Sequence, residues 1–153
     1  MRNLFVTGRK TAPGELMLKI IGMVLLLLGV MMAFGGIGAI SLVTKGSSND
    51  SVVAYLQENH MTYGQMLGGT VISCVSGIVY IISGALGVLN GGNIYKADQC
   101  LVMVVIMVAE VLGETCFNWY VGQFQPIGVV NMLILPALYL VGALRNKSAV
   151  KQC

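Results

Sequence analysis

Four long apolar runs leave this chain few folds to choose from. They are "LKIIGMVLLLLGVMMAFGGIGAISLV" (18–43), "MLGGTVISCVSGIVYIISGALGVL" (66–89), "QCLVMVVIMVAEVLGETCFNW" (99–119) and "PIGVVNMLILPALYLVGAL" (126–144). Each is near or above the roughly 20 residues that carry a helix across about 30 Å of hydrocarbon at 1.5 Å per residue. Strands are excluded, because the runs do not alternate and lipid tolerates no open sheet edge. The sequence therefore predicts an all-α integral membrane fold, a four-helix transmembrane bundle forming one domain over 1–153. Only 10% of the residues are charged, against about a quarter in soluble domains. The first run exceeds the roughly 7–15 apolar residues of a signal peptide, so it is read as a permanent span.

Basic residues orient the bundle. Arg2, Arg9, Lys10 and Lys19 precede or open the first span, Lys96 lies between the second and third, and Arg145, Lys147 and Lys151 follow the fourth. Lys45 alone falls in the opposite loops. The positive-inside rule then places both termini and the middle loop in the cytoplasm. The net charge of +3 reflects this topology and the bilayer, and no nucleic-acid partner is expected.

The outer loop 45–65, "KGSSNDSVVAYLQENHMTYGQ", is the largest. Asn49, Asp50 or Ser51 could cap a helix there, with Val52, Val53, Leu56 and Asn59 at helical spacing. A short amphipathic helix on the outer surface is expected, with Tyr55 and Tyr63 at headgroup level. Asn49-Asp50-Ser51 is formally a glycosylation sequon, which would mean nothing in a bacterial chain. His60 has no second ligand at useful spacing and is read as solvated or interfacial. The loop "NGGNIYKADQ" makes a tight turn, and the uncharged "YVGQFQP", with Trp119, Tyr120 and Phe124, makes an aromatic edge at the outer interface.

Glycine is abundant, at 20 residues. Small residues let membrane helices approach closely, and packing drives their association. Gly22, Gly29 and Gly36 recur at seven-residue steps in the first span, and Gly69, Ser73 and Gly77 at four-residue steps in the second, followed by Gly84. These stripes are expected to face one another or a neighbouring subunit. The ten methionines, Met31, Met32, Met103 and Met107 among them, are read as apolar filling, not a soft-metal path. Cys74, Cys100, Cys116 and Cys153 contain no C-x-x-C pair, which argues against a thiol relay. No metal and no cofactor is expected.

The third run holds two acids, Glu110 and Glu114, one turn apart near mid-membrane, with Asn118 a turn beyond and Gly113 beside them. A lipid-facing charge there costs at least ~2.5–3.5 kcal/mol on insertion scales. The two carboxylates also repel when both are ionised, so at least one is expected to hold a proton at neutral pH. Counting depth along each span brings Asn131, Ser73, Ser76 and Tyr80 to the same level, together with the Met132 carbonyl that Pro136 leaves free. The sequence thus predicts an intramembrane polar layer of Glu110, Glu114, Asn131, Ser76, Tyr80 and Asn118.

Three functions compete for such a layer. Protonated carboxyls could fix packing or assembly, giving a self-associating or accessory membrane protein. They could bind a proton or cation in a small channel or transporter. They could capture a lipid or small amine. The first reading is preferred here, since no Pro/Gly-broken helix pair or basic counterpart marks a transporter. A catalytic role is not expected: no nucleophile with its base, HExxH or phosphate loop is present.

"IISGALGVLNGGNIYKADQCLV" (81–102) and "ILPALYLVGALRNK" (134–147) resemble uncharacterised small four-transmembrane-helix proteins of Firmicutes. That resemblance implies a bacterial cytoplasmic membrane and the same topology, with a homo-oligomer or another membrane protein as partner, and it implies no activity. The length and glycine-rich first span are also similar to proton-ring subunits of rotary ATPases. Those carry the acid in an even-numbered helix, and this chain carries it in the third.

Overall fold

The computed structural model describes residues 12–44 and 50–150. Arg2, Arg9, Lys10, Lys45, Asn49, Lys151 and Cys153 lie outside the described residues. Five α-helices follow in order: α1 (Glu15–Thr44), α2 (Asp50–Glu58), α3 (Tyr63–Asn90), α4 (Ala97–Tyr120) and α5 (Pro126–Val150), with a 3-10 turn at Ile94–Lys96 before α4. No strand occurs among the described residues. α1, α3, α4 with its leading turn, and α5 are each long and apolar enough to cross a membrane, the architecture of a multi-pass membrane protein.

The helix ends have local causes. α1 opens with Glu15, whose carboxylate suits the positive end of the helix dipole and takes Lys19 Nζ at 2.6 Å. The α3 start is a capping box: Thr62 Oγ1 accepts from the Gln65 amide at 3.3 Å, and Gln65 Oε1 accepts from the Thr62 amide at 2.8 Å. It moves the helix start to Tyr63, three residues before the apolar run. α2 and α4 end in the same Schellman geometry. After α2, Met61 N donates to Leu56 O (3.0 Å) and His60 N to Gln57 O (3.3 Å), with His60 itself left-handed at φ 51°. After α4, Gln123 N donates to Asn118 O (2.8 Å) and Gly122 N to Trp119 O (3.1 Å), and Gly122 takes φ 77° without steric cost. α5 starts at Pro126, where the missing amide is harmless.

Two tight pairs make the bundle, and two looser seams join them. α1 and α3 pack antiparallel along most of their length, α4 and α5 form the second pair, and α3–α4 and α1–α5 contacts close the ring. The α1–α3 pair rests on glycine. A Cβ added to Gly29 would stand 2.7 Å from the Gly77 carbonyl, and one on Gly77 would stand 2.9 Å from the Gly29 carbonyl. A Cβ on Gly22 would meet Gly84 O at 2.8 Å, and Gly36 abuts Cys74 and Thr70. Backbone thus meets backbone, where dispersion contacts supply the association that burial from water supplies in soluble proteins.

The α3 stripe differs from the one read off the sequence. Its α1-facing members are Thr70, Cys74, Gly77 and Gly84, whereas Gly69 faces the Phe117 ring on α4 and Ser73 lines a cavity. Four-residue steps rotate by about 40° around a helix and seven-residue steps by only about −20°, so 69, 73 and 77 leave one face while 70, 77 and 84 keep it.

The core occupies one half of the bundle. Leu18, Leu25, Tyr80, Cys100, Met103, Val104, Met107, Tyr139 and Ala143 cluster there. Met103 and Met107 are therefore core residues. The basic-residue end beyond this core is tied by polar contacts. Asn146, fully buried, accepts from Gly14 N at 2.7 Å and donates from Nδ2 to Gly91 O at 2.8 Å, joining α5 to the chain on either side of the α1–α3 pair. Tyr139 donates its hydroxyl to Ser83 O at 2.9 Å. Asn90 bonds Gln99 and Lys96, and Lys147 reaches Asp98 at 2.8 Å. At the opposite end Tyr63 donates to the Val43 carbonyl, Trp119 and Tyr120 are exposed, and the helices separate around cavities.

Candidate functional site

The acids sit at the boundary between the packed half and the hollow half, on the α3–α4 seam. Glu110 is about 20 Å along α4 from its first residue and about 15 Å from its last, near the middle of the span. Across the seam lies Ser76, fully buried, whose hydroxyl bonds Glu110 Oε1. The same hydroxyl also points at the carbonyl of Ile72 one turn back, at 3.0 Å. Serine has one proton to give and two acceptors in front of it. If it donates to Ile72, Glu110 must bring the proton for the Ser76–Glu110 bond; if it donates to Glu110, the carboxylate can be bare. Serine therefore serves either protonation state of Glu110 by rotating.

The second oxygen of Glu110, Oε2, is buried and has no hydrogen-bond partner. Glu114 adjoins Glu110, and a proton on Glu114 would supply the missing donor. Tyr80, buried one turn beyond Ser76, lies within electrostatic reach of both acids. No Lys or Arg occurs between Lys96 and Arg145 or between Lys45 and Lys96, so no base of this chain neutralises the pair from α3, α4 or the first half of α5.

Glu110, Glu114 and Ser76 line a groove of about 400 Å³ with Val71, Ile72, Val75, Val79, Ile106 and Gly113. Val71, Val75 and Ile106 are exposed on its flanks, so the mouth faces sideways from the bundle. Space is left open beside Gly113, where an added Cβ would touch nothing within 4 Å. A separate cavity of about 370 Å³ lies toward the hollow end, between α1, α2, α3 and α4, and holds Tyr55, Thr70, Ser73, Phe117, Asn118 and Gln123 in its wall. Phe117 lies in its wall, with its ring over Gly68 and Gly69.

The residues predicted for the polar layer are thus divided. Glu110, Glu114, Ser76 and Tyr80 come together on one seam. Asn118 instead lines the cavity near the hollow end and a smaller one of about 170 Å³ beside α5. Asn131 does not belong to the layer: it is exposed. Its depth matches that of Glu114, but the bundle-facing side of α5 carries Pro136, Tyr139, Gly142, Ala143 and Asn146, and residue 131 points elsewhere. Pro136 is buried against the bundle.

Sequence reasoning passed over Asn146, Tyr139, Asn90 and Gln99. A signal existed: Tyr139, Gly142, Ala143 and Asn146 follow i, i+3, i+4, i+7 spacing, the pattern of one helix face. Among the described residues no three His, Cys, Asp or Glu side chains gather where they could hold a metal ion. No family model, curated protein or solved structure matches the chain.

Proposed function

We propose that this chain is a non-enzymatic multi-pass membrane protein that exchanges a proton or cation at the Glu110–Glu114 pair. The observation that carries the reading is Ser76: a single hydroxyl set between a backbone carbonyl and Glu110 accommodates that carboxyl with or without its proton. Two further features support it. The buried Oε2 of Glu110 has no partner and lies beside Glu114, whose protonated carboxyl would supply the donor it lacks. The pair also borders an open groove, whereas acids that merely lock helices together are sealed between them. Both termini and the 91–96 turn are on the cytoplasmic side of a bacterial inner membrane in this reading, with α2 lying on the outer surface. Self-association through the glycine faces, the reading preferred from sequence, is disfavoured because Gly22, Gly29, Gly77 and Gly84 are spent inside the α1–α3 pair.

The test is proton flux into dye-loaded liposomes from about pH 5 to 8, for wild type beside Glu110→Gln and Glu114→Gln. Acid-dependent flux is expected, abolished or shifted in pH by either substitution. Absence of flux, with both variants changing only melting temperature or oligomer size, would return the acids to a structural role.

A further inference from the structure

The groove on the α3–α4 seam has a shape and a charge that select an occupant, and we infer that it takes an amphiphilic organic cation from the bilayer, bound in exchange for the proton of the acid pair. This rests on the exchange reading above and names its substrate class.

Volume comes first. About 400 Å³ lies within the roughly 300–1,000 Å³ of pockets that hold drug-sized molecules, and far exceeds what a bare proton or inorganic ion needs. The walls Val71, Ile72, Val75, Val79 and Ile106 are apolar, and the oxygen-bearing lining groups, the two acids and Ser76, gather at one spot and cannot surround an inorganic cation. An apolar body with one positive centre fits both facts. The mouth is lateral, flanked by exposed valines and isoleucine, so the ligand arrives from the hydrocarbon and not from water. Depth argues against a lipid headgroup, since Glu110 is about 15 Å or more from either end of α4 and Glu114 about 9 Å from the nearer end. Nor does a second copy of the chain fit: the corresponding seam brings two more acids and no base to neutralise them.

The charges balance. One organic cation enters, its positive centre against the carboxylates, and one proton leaves, so the net charge of the site is unchanged. The titratable groups facing the pair are the acids themselves and Tyr80 on α3. In α1 and α5 the titratable side chains are Glu15, Lys19, Tyr139, Arg145 and Lys147, all in the basic-residue half. Binding is therefore tighter at high pH, where the competing proton is scarce.

Equilibrium dialysis of the purified full chain in detergent tests this with tetraphenylphosphonium and, as a probe of similar size and opposite charge, tetraphenylborate. The cation is expected to bind about tenfold or more tightly at about pH 8 than at about pH 6, and the anion to stay out. Glu110→Gln and Glu114→Gln each weaken cation binding about tenfold. Gly113→Leu, which fills the groove from a position with open space, also abolishes cation binding. Equal uptake of both probes would mark an acyl-chain furrow and overturn the inference. So would cation binding indifferent to pH and to both Gln variants, or unchanged by Gly113→Leu. Dialysis needs no ion gradient, so a failure here is distinguishable from the absence of acid-dependent flux.

Discussion

Ser76 and Asn146 are both buried polar side chains at helix contacts, yet they do opposite work. Asn146 has its donor and acceptor committed to backbone groups of fixed polarity, Gly91 O and Gly14 N. It has one state, and Asn146→Ala strands both partners. A loss of about 2–4 kcal/mol in unfolding free energy is expected, measured by denaturation in mixed micelles. Ser76 has a choice of acceptors, so Ser76→Ala is expected to cost less, about 1–2 kcal/mol, while moving the pH dependence of flux, which Asn146→Ala leaves alone. His60 illustrates a third case. Its left-handed φ of 51° is a helix stop performed by a residue with a Cβ, and His60→Gly is expected to raise stability by about 0.5–1 kcal/mol in the same assay. From sequence the two acids stood out because charge in an apolar run is conspicuous. Asn146 did not, because its neighbours Arg145 and Lys147 make it look like part of a solvated tail, and only the continuation of α5 to Val150 turns it inward.

Among the elements, the α1–α3 pair is the rigid unit. Gly29→Leu must push apart two backbones that an added Cβ would already meet at 2.7 Å, and a destabilisation of about 3 kcal/mol or more is expected. Gly38→Leu, on the same helix where an added Cβ meets nothing within 4 Å, is expected to change stability by less than about 0.5 kcal/mol. Comparing the two melting temperatures separates contact from glycine content. The seven-residue step in α1 was legible in the sequence because it keeps a constant azimuth. The α3 stripe was misread by one residue, since Gly69, Ser73 and Gly77 are small and evenly spaced but drift around the helix. Depth arithmetic failed for Asn131 in the same way: counting residues from a membrane edge gives height, and nothing in the count gives rotation. Helix starts were displaced where a polar cap, Thr62 with Gln65, recruits residues that hydropathy assigns to the loop.

At the scale of the whole molecule, the four spans and their order followed from length and apolarity alone, because lipid permits so few alternatives. The asymmetry between the two ends did not, since it depends on which residues meet across the seams. The basic-residue end carries the core and the Asn146, Tyr139 and Asn90 ties, while the far end holds the cavities. Backbone amides of α3 and α4 near Gly84 and Met103 are expected to exchange with deuterium about tenfold or more slowly than those near Gly68 and Phe117, read by mass spectrometry in micelles. Uniform protection along both helices would contradict a one-sided core. The arrangement is that of a clothes-peg: the spring is the tied end, the arms are the two helix pairs, and the acids lie just ahead of the fulcrum. A peg of this kind magnifies distance along its arms, so a small widening at Glu110 would become a larger one at Phe117, in the wall of the far cavity.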